Sequence, residues 1–372
     1  IRREMRLADR GDHRLLLDDA ERILRIDPDN LFALRERALN ALYLAQQIEE
    51  RAPADPAVSV ARQAALESMA RMVRLEPENA SVHRLHAFVL EQVGRPAEAE
   101  RASRQAERHR SGEPGDEELN LDAMLAAGRG DHARAVELYS ELIGRKPAAS
   151  EAILGRAASR RRLGDLEGAE RDYARAAAID PEDAVARLNL GLLLIRGGEM
   201  EEGRGHVEAA ARILPDNAIV LQALADGLLV VGRRALYEGR KERALESFRG
   251  AESAARRSLR LDPGKPWTRV NLGASLAEQH RLAEEPDPRL LAEAREQFEG
   301  EISLWRDLRA RPGTLADPDA YAGAVINLCD ACLQTPDLAR ALEVCGEAAR
   351  LKPEDPVWQR RALRLAQLME TL

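Results

Sequence analysis

Small and apolar positions recur along this 372-residue chain at helical spacing and in short blocks. Ala135 and Tyr139 lie four residues apart, and Ala169, Tyr173 and Ala176 follow at intervals of four and three. Ala210 repeats the last of these positions 34 residues on, and Ala157 and Gly191 hold small positions in the intervening blocks. Two kinds of punctuation close the blocks. One is an aliphatic residue, an acid and a proline: Ile26-Asp27-Pro28, Leu75-Glu76-Pro77, Ile179-Asp180-Pro181 and Leu261-Asp262-Pro263, with looser copies LPDN at 214–217 and LKPED at 351–355. Pro147, Pro181 and Pro215 are spaced 34 and 34 residues apart. Midway between prolines comes a glycine element: GRPAEA (94–99), GDHARA (130–135), GDLEGA (164–169) and GEMEEG (198–203). Looser copies are GDHRLL (11–16), GRKERA (239–244) and TPDLARA (335–341).

A fixed period of this length predicts a repeated helix, glycine turn, helix, proline turn. The glycine supplies the left-handed residue that ends the first helix. The acid beyond it stands where a helix start favours negative charge. The proline stops the second helix, and the Asp or Asn that follows is placed to cap the next. At these positions the sequence resembles the tetratricopeptide repeat family, whose Asn-Leu-Gly element is literal at Asn189-Leu190-Gly191 and Asn271-Leu272-Gly273, with Asn327-Leu328-Cys329 beside them. The match is strong over 116–217, clear over 322–355 and looser elsewhere. The resemblance implies one all-α, right-handed superhelical solenoid of about nine hairpins, with units at 1–30, 31–79, 80–115, 116–149, 150–183, 184–217, 218–265, 266–320 and 321–355. Residues 356–372 read as a capping helix, with Trp358, Ala362, Leu365 and Met369 on one side and Arg360, Arg364, Gln367 and Thr371 on the wet side.

Three units are oversized, by additions at 46–56, 233–241 and 279–288 between their two helices. These predict extended helices or longer loops on one edge, either tolerated insertions or an added docking edge. Composition adds less. Hydrophobic residues make up 45% and aromatics 3% of the chain, which suits short, closely packed helices. The 56 basic residues include only four Lys, a bias that leads us to expect a GC-rich bacterial genome. The net charge of −8 argues against nucleic-acid binding, and no apolar stretch approaches a membrane span. Three cysteines within 329–345 suggest no disulfide framework, hence a cytoplasmic location. The chain starts inside the pattern at Ile1, so an attached N-terminal domain is expected, together with self-association through Leu15, Leu16 and Ile23 if the first hairpin is truncated.

Candidate chemistry is sparse. Cys329, Cys332 and Cys345 fall at core positions and lack a fourth ligand, so core packing is favoured over metal or redox use. His83 and His86 share a helical face and read as a satisfied pair rather than metal ligands. Motifs for zinc proteolysis, phosphate loops, nucleophile elbows and kinases are absent, so neither catalysis nor a cofactor is expected. In the family, the first helix of each hairpin lines a concave groove. Carried over, that implies partner contacts at Asn120, Met124, Leu154, Arg161, Arg162, Leu188, Asn189, Leu192, Ile195, Arg196, Gln222 and Asp226, then Trp267, Asn271, Ala274, Ile326, Asn327 and Asp330.

Asn amides suit a peptide backbone, with helix capping or a solvated face as the alternative. Arg161, Arg162 and Arg196 suggest an acidic partner, against a plain solvated arginine face. Trp267 stands at the groove lip as an anchor, or is buried. The clamp that holds chaperone tails is not matched, because Leu154, Ala158, Asn189, Ile219 and Ala223 offer only one suitable side chain. The expected function is a scaffold that binds a protein or peptide. Alternatives are a sensor module of an attached serine/threonine kinase or protease and, less favoured, an RNA-binding helical repeat.

Overall fold

The computed structural model describes residues 13–51, 55–110, 112, 114–265, 267–309, 318–333 and 338–370. Among them lie eighteen α-helices and no strand. Helix α1 (His13–Ile26) is followed by eight hairpins. These are α2 (Leu31–Arg51) with α3 (Pro56–Leu75), α4 (Ala80–Gln92) with α5 (Pro96–Arg108), α6 (Asp116–Gly128) with α7 (His132–Arg145), and α8 (Ser150–Arg162) with α9 (Leu166–Ile179). The series continues with α10 (Ala184–Gly197) and α11 (Met200–Ile213), α12 (Ala218–Tyr237) and α13 (Lys241–Leu261), α14 (Thr268–Leu282) and α15 (Pro288–Arg309), and α16 (Pro318–Cys332) and α17 (Leu338–Leu351). Helix α18 (Pro356–Glu370) ends it. The chain divides into two compact units between Leu193 and Leu194, each a stack of helical hairpins.

The punctuation works as local chemistry dictates. Gly94, Gly130, Gly164, Gly198 and Gly239 all have φ between +76° and +100°, where a Cβ would be strained. The acids after Gly130 and Gly164 do more than meet a helix dipole: Asp131 accepts from Arg134 N (3.1 Å) and Asp165 from Gly168 N (2.9 Å). After the prolines, Asn79, Asp183 and Asn217 cap α4, α10 and α12 through side-chain oxygens. Arginines then fasten these turns across repeats. Arg175 of α9 donates to Pro147 O, and Arg257 of α13 donates to Pro215 O at 2.6 Å.

The cores are built from small residues and a few aromatics. In the first unit Leu34, Leu42, Met69, Leu85 and Phe88 form one cluster; in the second, Phe248, Leu276, Phe298 and Leu328 do. Glycines of first helices make room for the rings. A Cβ on Gly232 would lie 2.6 Å from Phe248, one on Gly273 2.6 Å from Phe298, and one on Gly155 2.6 Å from Tyr139 Oη. The oversized hairpins put their extra length mainly into helix: α2, α3, α12 and α13 run 20 or 21 residues, and α15 runs 22. Tyr237 ends α12 at 85% exposure.

Two expectations need correction. Cys329 and Cys345 are joined in a disulfide between α16 and α17, with Cα atoms 4.9 Å apart, because the core positions they occupy face each other across the hairpin. Cys332 is a buried thiol outside this disulfide. Leu16 is 2% exposed and Ile23 half-buried, because α1 packs against α2; the side chain of Leu15 lies outside the described residues. In α18, Arg360, Arg364 and Gln367 are exposed and Ala362 is half-buried; the side chains of Trp358, Leu365, Met369 and Thr371 lie outside the described residues, as do residues 11 and 334–337.

Candidate functional site

The first helices carry the residues of interest, and each unit presents its own set. In the first unit, Asn120 and Met124 sit half-buried on α6, Met124 leaning on the core cluster. Arg84 of α4 reaches across to α6, pairing with Asp122 at 2.7 Å and with Glu118, so ion pairs bridge neighbouring first helices beside Asn120. On α8, Arg162 is exposed and Arg161 half-buried, its Nε enclosed without a hydrogen bond. Leu154 is buried and lines no surface. On α10, Leu192 and Asn189 are half-buried, and Asn189 Nδ2 donates to Val185 O at 3.0 Å, leaving its carbonyl oxygen as the more available group. Glu151, at the start of α8, touches solvent, yet surrounding protein strips enough water to raise its pKa, against the opposing charge of Arg35.

The second unit gathers a more pointed cluster. Arg196, near the C-terminal end of α10, is exposed, and Gln222 is half-buried on α12. Asp226, one turn beyond Gln222, is open to solvent but walled by protein on its other sides. Desolvation raises its pKa, and the Asn271 amide and the Arg196 charge pull it back. Asn271 on α14 is only 5% exposed, and its Nδ2 makes no hydrogen bond of normal geometry; the carboxylate of Asp226 is the polar group beside it. Three successive first helices thus bring a cation, a carboxylate and an amide together.

Other expected contacts lie elsewhere. Ile195 and Ala274 are buried. Trp267 is half-buried against the core of the second unit, its ring beside Gly323, and is no free lip anchor. Its φ of 68° is left-handed, and its N–H donates to the buried Glu301 at 2.8 Å. Asn327 and Asp330 are half-buried on α16, and Ile326 leans on the core. His83 is buried with Nε2 2.7 Å from Pro77 O, and its ring stacks on His109. His86 is half-buried, its pKa lowered by desolvation first and by His83 second. Among the described residues no group of three His, Cys, Asp or Glu is placed to hold a metal ion, and no helix is long and apolar enough to cross a membrane.

The sequence reading missed Glu151, although it stands at the second position of α8, and missed the Arg84 bridge. It also missed a buried ionic triad, in which Arg156 and Arg160 of α8 both clasp Asp172 of α9. Arg156 and Arg160 sit at i, i+4 and so share a face, a spacing that could have prompted a search for a common acid.

Residues 160–227 match the family model described as tetratricopeptide repeat. Cellulose synthase 2 operon protein C of Komagataeibacter xylinus is 32% identical over 163 residues, 43% of this chain and 11% of that protein. The FK506-binding protein-like protein of Mus musculus is 32% identical over 90 residues, 23% of this chain and 26% of that protein. The matched stretches thus span about a tenth and a quarter of these relatives' lengths. Among solved structures, the APC/C hetero-tetramer Cut9-Hcn1 aligns at a TM-score of 0.50 and 15% identity, over 89% of this chain and 62% of that one, a likeness of fold.

Proposed function

Because the chain belongs to the tetratricopeptide repeat family, we propose that it is a binding scaffold which holds an extended segment of a partner protein along its first helices, without chemical turnover. The observation that carries this reading is the Arg196, Asp226 and Asn271 cluster on α10, α12 and α14. In an extended chain the N–H and C=O of one residue face the same edge. Asp226 accepts that N–H, the buried Asn271 amide lies against its carboxylate and orients it, and the exposed Arg196 is placed to donate to that C=O. Such pairing grips a backbone with little regard for side chains. In the first unit, the exposed Arg162 beside Arg161 gives a preference for acidic partner residues, and Asn120 and Asn189 supply further amide contacts; in the second unit Asn327 does the same. The disulfide between Cys329 and Cys345 fits an oxidising compartment better than the cytoplasmic location expected from the cysteine count.

The test selects peptides against the full chain from a random display library and measures their affinity by fluorescence anisotropy. Asp226→Ala and Asn271→Ala are each expected to weaken the selected peptides at least tenfold, with Arg162→Gln weakening only the acidic ones. Peptides that bind both alanine variants as tightly as the parent protein refute this site.

A further inference from the structure

The first unit holds an open cleft of about 430 Å³ between the second helices α1 and α3, floored by α2. Four arginines line it: Arg25 at the end of α1, Arg37 on α2, and Arg71 and Arg74 near the end of α3. Arg25 and Arg74 are equivalent residues, three before Pro28 and Pro77, and so stand at the same end of two second helices. Both are exposed, and neither has an ion-pair or hydrogen-bond partner among the described residues. Arg37 is fixed from beneath, donating to Ser68 Oγ at 3.0 Å and to Ala64 O at 3.2 Å. Its two nearest carboxylates, Glu21 and Glu67, stay 3.8 Å away, at the outer limit of pairing. Arg71 is held by Asp29 at 2.7 Å.

We propose that this cleft binds a phosphate group carried on a larger body. Guanidinium forks match tetrahedral oxyanions with paired hydrogen bonds. A phosphate ester carries about −1.5 to −2 charge near pH 7, enough to engage Arg25, Arg37 and Arg74 together. The volume exceeds what free phosphate needs and falls in the range of small-molecule sites. Leu24 and Leu34 offer an apolar floor for the rest of the ligand. The C-terminal dipoles of α1 and α3 oppose an anion here, so the site depends on Arg25 and Arg74 acting jointly.

Isothermal titration of the full chain with phenyl phosphate, inorganic phosphate and a phosphoserine peptide tests this. Saturable binding of phenyl phosphate or the peptide is expected, the tighter of the two identifying a small-molecule or a protein-borne source. Arg25→Gln/Arg74→Gln should weaken it at least tenfold, and Glu67→Gln should tighten it. Arg212→Gln/Arg260→Gln is the control, since those arginines stand three residues before Pro215 and Pro263 in the second unit. Absence of saturable binding to all three probes, or equal loss in both double variants, overturns the proposal. All substitutions fall on solvent-reachable side chains, and circular dichroism verifies that each variant is folded.

Discussion

Asp172 is the point at which the hairpin of α8 and α9 is most exposed to a single change. Its side chain is 3% exposed and receives three charge-assisted hydrogen bonds, two from Arg156 at 2.7 and 2.8 Å and one from Arg160 at 2.7 Å. Asp172→Ala strands two guanidiniums whose side chains are only 13% and 24% exposed. What remains is Ser140 Oγ at 3.2 Å for Arg156, and Gly168 O at 3.4 Å and Asp165 at 3.6 Å for Arg160, none a replacement for a shared carboxylate. Breaking a buried pair costs about 3–5 kcal/mol. Because both arginines keep an edge in water, the lower end applies, about 3 kcal/mol, or roughly a hundredfold in the opening equilibrium. By contrast, removing Glu137 from its exposed i, i+3 pair with Arg134 should cost about 0.3–0.5 kcal/mol.

A stack of repeats need not unfold in one step, so hydrogen exchange resolved by helix is the fitting assay. The loss is expected in 150–162 and 166–179, with α4 and α5 less affected. The triple change Asp172→Leu/Arg156→Met/Arg160→Met should recover most of it, since apolar side chains of similar volume replace buried ion pairs at little cost. A loss under about 1 kcal/mol in Asp172→Ala, no larger than that of the surface pair, would refute the claim that burial makes this triad matter.

Other outcomes follow from the same structure. Gly155→Ala drives a methyl into the ring of Tyr139 and should cost about 1–3 kcal/mol, whereas Gly205→Ala, with nothing within 4 Å, should stabilise α11 by up to about 1 kcal/mol; thermal unfolding separates them. Reducing the Cys329–Cys345 bridge, which closes 16 residues, should destabilise α16 and α17 by about 3 kcal/mol, read as lower exchange protection there in a Cys332→Ala background that blocks disulfide exchange. Burial, and then the neighbouring His83, hold the folded pKa of His86 below its unfolded value. The unfolded chain therefore binds more protons, and stability of α4 and α5 should fall as pH drops from the unfolded value of about 6.5 through the folded one. His86→Gln should flatten that slope, and an unchanged slope would assign it to other groups.

The hairpins were legible because their signals are local. A glycine with positive φ, an acid three residues ahead of the N–H it caps, and a proline that ends a helix each act within a few residues, and each is visible in one line of sequence. The site was legible only in outline. Asn189 and Asn271 hold the same place in their repeats, yet Asn189 bonds back to its own helix and Asn271 is enclosed beside Asp226. The difference lies in the neighbours that successive repeats bring up, and no spacing within one repeat encodes it. The disulfide was lost for a related reason, since facing core positions across a hairpin read as ordinary small apolar residues.

The arginines carry this furthest. As composition they indicate a genome; in place they hold the turns. Arg175 and Arg257 bind proline carbonyls of preceding repeats, Arg84 links two first helices, and Arg156 and Arg160 close a hairpin around one acid. A lysine at these places would keep the charge but lose the fork that satisfies two acceptors at once. A carbonyl offers a single atom and Asp172 a bidentate face, so replacement by lysine should be tolerated at Arg175 and damaging at Arg156. A bias that were genomic alone would give the same result at both.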